Sequence, residues 1–90
     1  MGGLFKKRRS IKVPYRKQGL IYFTCINVQT QPKAIQDKIN RLCSEVGGED
    51  SGALFELLTT EDVSVTYIAN KYFVNEKILY KMRKSFYEKW

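Results

Sequence analysis

The sequence predicts a small all-α domain, a compact bundle of about five short helices that follows a flexible basic N-terminal arm. The prediction rests on the 90-residue length, on a hydrophobic content of 43%, and on apolar residues that recur at helical spacing after Pro32. A chain of this length forms one domain at most, and its apolar content is enough for a packed core. We place the arm at residues 1–12, the helical domain at 13–90 and a helix-turn-helix at 64–90.

Positive charge is concentrated at both ends of the chain. The net charge is +7, from 16 lysines and arginines against 9 acids. Residues 1–17 hold seven basic residues and no acid, residues 18–75 carry a net −3, and residues 76–90 carry +3. This distribution is typical of a protein that presents two positive elements to a polyanion. The arm's candidate contacts with such a polyanion are Lys6, Lys7, Arg8 and Arg9.

Residues 14–28 are compatible with either a strand or a helix. Their β-branched and aromatic residues favour a strand locally. However, a ribbon formed with residues 11–13 alone would be marginal, and everything downstream is helical in pattern. We therefore predict a helix, which would place Tyr15, Tyr22, Phe23 and Ile26 on one face.

A second helix is predicted to begin at Pro32, because proline suits the first helical position. Its apolar stripe consists of Ile35, Ile39, Leu42 and Val46. Gly47 and Gly48 are expected to end it, since glycine accepts the left-handed conformation that closes a helix.

Three short helices are predicted in the remainder, each with a candidate N-cap: Ser51, Ser64 and Asn75. Leu54, Phe55, Leu57 and Leu58 supply the apolar bulk of the first. Val65, Ile68, Ala69 and Tyr72 recur at helical spacing in the second, and Leu79, Met82 and Phe86 in the third.

The last two of these helices match the pattern of a helix-turn-helix. Ala69 supplies the small residue where the two helices cross. The surrounding apolar positions of such a unit are occupied by Ile68, Tyr72, Val74, Leu79 and Met82. Phe73 departs from the pattern, because many units have a glycine at this point of the turn.

If Leu79, Met82 and Phe86 face inward, the last helix presents a basic face to solvent. That face would carry Glu76, Lys77, Tyr80, Lys81 and Lys84, with Arg83 at its flank. Lys77 or Arg83 would bond guanine edges or phosphate, Tyr80 a phosphate or a thymine methyl, and Lys81 and Lys84 phosphates. Asn75 would either cap the helix or touch a base.

Residues 53–90, ALFELLTTEDVSVTYIANKYFVNEKILYKMRKSFYEKW, resemble the C-terminal part of small regulators encoded by phages and mobile elements of Gram-positive bacteria, the ArpU-like and RinA-like proteins. The resemblance includes an R-x-x-F-Y-like tail, here Arg83, Ser85, Phe86 and Tyr87. It implies a transcriptional regulator that binds double-stranded DNA through Lys77, Tyr80, Lys81 and Lys84.

Other functions are less well supported by the residues. The chain has no histidine and no glycine-rich phosphate loop, so we expect no metal site, no cofactor and no enzymatic activity. Cys25 and Cys43 are expected to be buried, reduced thiols, which suits the cytoplasm. The apolar stretch 19–28 is about half the length that a membrane-spanning helix needs.

Two alternatives to duplex DNA stay open. The basic surfaces could bind an acidic host protein as an interaction module or inhibitor, or exposed aromatic rings could stack on single-stranded bases. A homodimer is also possible, with Phe86, Tyr87 and Trp90 either in the contact or folded back on the core.

Overall fold

The computed structural model describes residues 11–90, which form an all-α fold as predicted and contain no strand. Helices α1 to α5 span Tyr15–Ile26, Lys33–Gly47, Ser51–Thr59, Val65–Tyr72 and Glu76–Lys89. Single 3-10 turns, Val28–Thr30 and Gly48–Asp50, precede α2 and α3. Within the described residues, no helix is both long and apolar enough to cross a membrane.

Helix α3 lies at the centre of the fold, where it contacts all four of the other helices. It is short and strongly apolar, and it buries Ala53, Leu54, Leu57 and Leu58. Burial of a leucine side chain contributes roughly 1.5–3 kcal/mol. The remaining helices therefore pack around α3, and α2 also contacts α5 directly.

The helix predicted for residues 14–28 is confirmed, but its buried face was assigned wrongly. The buried residues are Gln18, Ile21 and Cys25, at spacings of three and four. Tyr15 and Phe23 are 53% and 39% exposed. Aromatic bulk does not identify the buried face of α1, because the smaller Ile21 and Cys25 lie on the side that packs against the rest of the fold.

Helix α2 follows the predicted stripe closely. Ile39 and Leu42 are buried, and Ile35 and Val46 pack against the core while partly exposed. Pro32 occupies the N-cap position, one residue before the predicted one. At the other end Gly48 ends the helix with a positive φ of 53°, which favours glycine, but its ψ of −120° differs from the left-handed helical conformation expected there.

The predicted caps have different outcomes in α3 and α4. The prediction for Ser51 is wrong, because the preceding 3-10 turn runs directly into α3 and Ser51 is already helical, with φ −58° and ψ −36°. The prediction for Ser64 is confirmed, since its Oγ accepts a hydrogen bond of 3.0 Å from the Tyr67 N–H.

Hydrogen bonds and buried side chains fix the chain before α1 to the domain. The buried Gln18 amide donates to the carbonyl oxygens of Val13, at 2.8 Å, and of Ile11, at 3.3 Å. The Lys12 N–H donates to Glu88 Oε2 on α5, at 3.2 Å. Ile11 and Val13 are 3% and 7% exposed. Ile11 and Lys12, which the sequence assigned to the arm, are therefore held against the helices.

We expect Gln18→Leu to lower the free energy of unfolding by about 1–3 kcal/mol. Leucine has a similar volume, but it leaves the buried carbonyl groups of Ile11 and Val13 without their side-chain donor. Urea denaturation measures the loss, with the exposed Gln29→Leu as the control. Equal stability of the two variants would show that these carbonyl groups find other donors.

Candidate nucleic-acid interface

The orientation of α5 is set by its buried apolar stripe. Leu79 and Phe86 are fully buried and Met82 is 7% exposed, as predicted. Because the three residues recur at helical spacing, the opposite side of the helix must face solvent.

The solvent side of α5 carries most of the predicted candidate residues. Glu76, Lys77, Tyr80 and Lys81 are exposed, whereas Arg83 and Lys84 are half-buried. The Arg83 guanidinium lies 5.2 Å from the centre of the Tyr80 ring, one helical turn away. Such a cation–π contact holds an arginine beside an exposed ring. The face is therefore basic, with one aromatic ring in it.

Asn75 is the N-cap of α5, one of the two roles considered for it. Its Oδ1 accepts a hydrogen bond of 2.8 Å from the Lys77 N–H. The cap defines where α5 begins and orients the first helical turn, which contains Glu76 and Lys77.

The connection between α4 and α5 contains only residues 73–75. At its start Phe73 adopts the left-handed conformation, with φ 56° and ψ 42°. The Val74 N–H donates to the Ala69 carbonyl oxygen at 3.0 Å, the bond that closes a helix in the Schellman motif. The turn thus has the backbone that glycine usually supplies, with a phenylalanine in glycine's place.

The residues around this turn pack largely as the sequence predicts. Ile68 is fully buried, Ala69 is 8% exposed, and Val74 packs against the core. Tyr72 differs, because it is 37% exposed. Its hydroxyl group makes a polar contact outside the core.

Tyr72, Lys71 and Glu56 form a polar cluster that joins α4 to α3. The Tyr72 hydroxyl donates to Glu56 Oε1 at 2.7 Å, and Lys71 Nζ lies 2.9 Å from both carboxylate oxygens. The hydrogen bond from Tyr72, and then that from Lys71, lowers the pKa of Glu56. The same contacts raise the pKa of Lys71 and of Tyr72.

The C-terminal aromatic residues fold back on the chain's own core. Phe86 is fully buried and Tyr87 is 4% exposed. The Trp90 ring lies 5.8 Å from that of Phe86, and Lys38 Nζ lies 4.1 Å from the centre of the Trp90 ring. Of the two roles predicted for these aromatics, the structure shows the intramolecular one, and dimerisation stays a prediction.

The two cysteines are free and buried, as predicted. Burial raises the pKa of Cys25, and likewise that of Cys43, to about 12. Both thiols therefore stay protonated at neutral pH, and neither is activated as a nucleophile. Residues 11–90 contain no group of three or more acidic or cysteine side chains that could hold a metal ion.

The basic arm residues Lys6, Lys7, Arg8 and Arg9 lie outside the described residues. The fixed segment 11–13 marks where the chain joins the domain. This junction lies beside Glu88, near the C-terminal end of α5. Asn75 lies at the other end of this 14-residue helix, roughly 20 Å away at 1.5 Å per residue.

Comparisons of the chain with protein-family models, with curated proteins and with solved structures find no match. The resemblance of residues 53–90 to the phage regulators accordingly stays a prediction from the residues themselves.

We expect Asn75→Ala to lower the free energy of unfolding by about 1 kcal/mol, because the first turn of α5 loses its side-chain acceptor. Asn75→Ser should retain most of the stability. Chemical denaturation measures both variants, and Asn70→Ala on the exposed side of α4 is the control. No loss in Asn75→Ala would mean that water replaces the cap.

We expect Glu56→Gln to destabilise the protein at neutral pH and to lose this effect in acid. A carboxyl group whose pKa falls on folding stabilises the fold fully above its unfolded value, here 4.5. That contribution is lost as the pH falls through the lower folded pKa. Thermal unfolding from about pH 7 to about pH 3 should show the two proteins converging. A difference independent of pH, or one equal to that of Glu61→Gln, would contradict the assignment.

Proposed function

We propose that this protein is a sequence-specific double-stranded DNA-binding protein, with α4 and α5 as its helix-turn-helix and α5 as the recognition helix. The observation that carries the proposal is the orientation of α5. Its apolar stripe is buried, and Lys77, Tyr80 and Lys81 are exposed along the side that begins at the helix N-terminus. That end of a recognition helix is the one that contacts base edges in the major groove.

The exposed side chains suit the chemistry of the groove. Lysine and arginine bond guanine edges and phosphates, and a tyrosine ring can contact a phosphate or a thymine methyl. Lys77 and Tyr80 lie nearer the N-terminus of α5 and would read bases. Lys81, Lys84 and Arg83 would bind the flanking phosphates, for which half-buried side chains of this length still have sufficient reach.

The distribution of charge over the whole chain supports a nucleic acid as the partner. Residues 11–90 hold twelve basic residues against nine acids, so the remainder of the +7 net charge lies in the first ten residues. Arms of this composition reach into the minor groove or along the backbone in other DNA-binding proteins. We propose that Lys6, Lys7, Arg8 and Arg9 anchor the protein in this way.

A regulator of phage or mobile-element genes is the biological role that the resemblance of residues 53–90 supports. The rival function is an interaction module that uses the same basic surface to bind an acidic protein. The two functions differ in their dependence on salt, because binding to duplex DNA releases counterions from the phosphates that the protein neutralises.

We expect the full chain to bind random-sequence duplex DNA with micromolar affinity at low salt, as nonspecific DNA binding does. Contacts to about six to eight phosphates should lower the affinity roughly a thousandfold or more between 50 and 200 mM salt. Fluorescence anisotropy of labelled DNA measures this dependence. Replacing Lys6, Lys7, Arg8 and Arg9 by glutamine in the full chain should weaken binding and reduce the slope.

Variants of α5 separate phosphate contacts from base contacts in the same assay. Lys81→Ala and Lys84→Ala should weaken binding to all sequences alike, whereas Lys77→Ala or Tyr80→Ala should alter the preference among selected sequences. Lys33→Ala removes one exposed charge from α2 and is the matched control. Failure of the unmodified chain to bind duplex DNA at low salt would overturn the proposal and favour the acidic protein partner.

A further inference from the structure

Phe73 is the most exposed of the large apolar side chains in residues 11–90. Its exposed fraction is 95%, against 63% for Leu20, the next highest. It therefore buries almost nothing in the folded domain. An apolar ring in this position does not stabilise the fold through contacts with other residues.

The backbone of Phe73 is also unfavourable for its side chain. At φ 56° and ψ 42° it lies in the left-handed region, where the β-carbon is crowded by the following carbonyl group. Glycine has no β-carbon, and asparagine tolerates this region better than an aromatic residue does. Either would form the same turn with less strain, so folding alone does not account for a phenylalanine here.

Phe73 lies close in the chain to the start of α5, the proposed recognition helix. Phe73 lies two residues before the α5 N-cap Asn75, so their Cα atoms are at most about 7.6 Å apart. The exposed Lys77 follows in the first turn of α5. Phe73 therefore lies beside the N-terminal end of α5, the end that a recognition helix inserts into the major groove.

We propose that Phe73 is a further DNA-contacting residue, whose ring packs against the C5-methyl groups of thymine in the major groove. This inference rests on the proposed function. Phenylalanine contacts thymine methyl groups in known modes of major-groove recognition, and this contact distinguishes thymine from the other bases. The contact would cover an apolar ring that the fold leaves in water.

The test compares two labelled duplexes of alternating sequence, one of dA and dT and one of dA and dU, which differ only in the thymine methyl groups. Binding is measured by anisotropy at one low salt concentration. The full chain should favour the thymine duplex by about fourfold for each methyl group that it buries. Phe73→Gly and Phe73→Asn should lose most of this preference, and Phe73→Leu should retain part of it.

Thermal unfolding of the same variants separates binding from folding. Phe73→Gly relieves the left-handed strain, so its Tm should be at least that of the unmodified chain while its thymine preference falls. Asp62, at φ 61°, is the other left-handed non-glycine residue among those described. Asp62→Gly is therefore the matched control, and its ratio of thymine to uracil affinities should be unchanged.

Three results would overturn the inference while leaving DNA binding intact. They are equal affinity of the full chain for the two duplexes, an unchanged preference in Phe73→Gly, and a preference that only Tyr80→Ala removes. An oligomer of the unmodified chain that Phe73→Gly abolishes, with the preference unchanged, would assign the ring to a protein contact instead. Absence of binding to either duplex would overturn the proposed function together with this inference.

Discussion

The burial of one side of α5 is the constraint on which the rest of the molecule depends. Leu79, Met82 and Phe86 enter a core formed mainly by the central helix α3. Once they are buried, every other side chain of α5 has a fixed direction, because the helix cannot rotate without exposing them. The basic residues on its other side thus form a surface in a definite position, whatever they bind. Loss of Phe86 would disturb that surface as well as the core.

Local hydrogen bonds and backbone conformation determine where α4 ends and where α4 and α5 begin. Both helices start at a residue whose side chain accepts a backbone hydrogen bond, Ser64 in α4 and Asn75 in α5. Between them, Phe73 ends α4 in the left-handed conformation. These short-range features allow three residues to join two helices, so that the direction of α5 is set relative to α4 as well as to the core.

Features with a strong local cause were predictable from the sequence. The stripes of α2 and α5, the closing Gly48 and the caps Ser64 and Asn75 each depend on residues within one or two turns. The buried face of α1 was not predictable in this way, because it depends on which side chains fit against other helices. Ser51 failed as a cap for a related reason, since a 3-10 turn extends the helical backbone past it.

The same difference between local and tertiary causes applies to the candidate site. The exposed side of α5 follows from its apolar spacing, and so the solvent positions of Lys77, Tyr80 and Lys81 could be predicted. Gln18 and Glu56 could not be singled out, because their partners are set by tertiary packing or lie on another helix. The exposure of Phe73 was equally hidden, since a turn pattern indicates a backbone conformation and says nothing of whether a bulky side chain there finds a partner.

The hydrogen bond between the Lys12 N–H and Glu88 brings together two points that are 76 residues apart in the chain. The two ends of the described polypeptide therefore lie close together in the folded domain. A circular permutant could join the two ends through a short linker and open in the exposed connection around Glu61. The chain would then begin with α4 and α5, which would remain consecutive. Folding of such a permutant would show that the arrangement of the helices in space does not depend on their order along the chain.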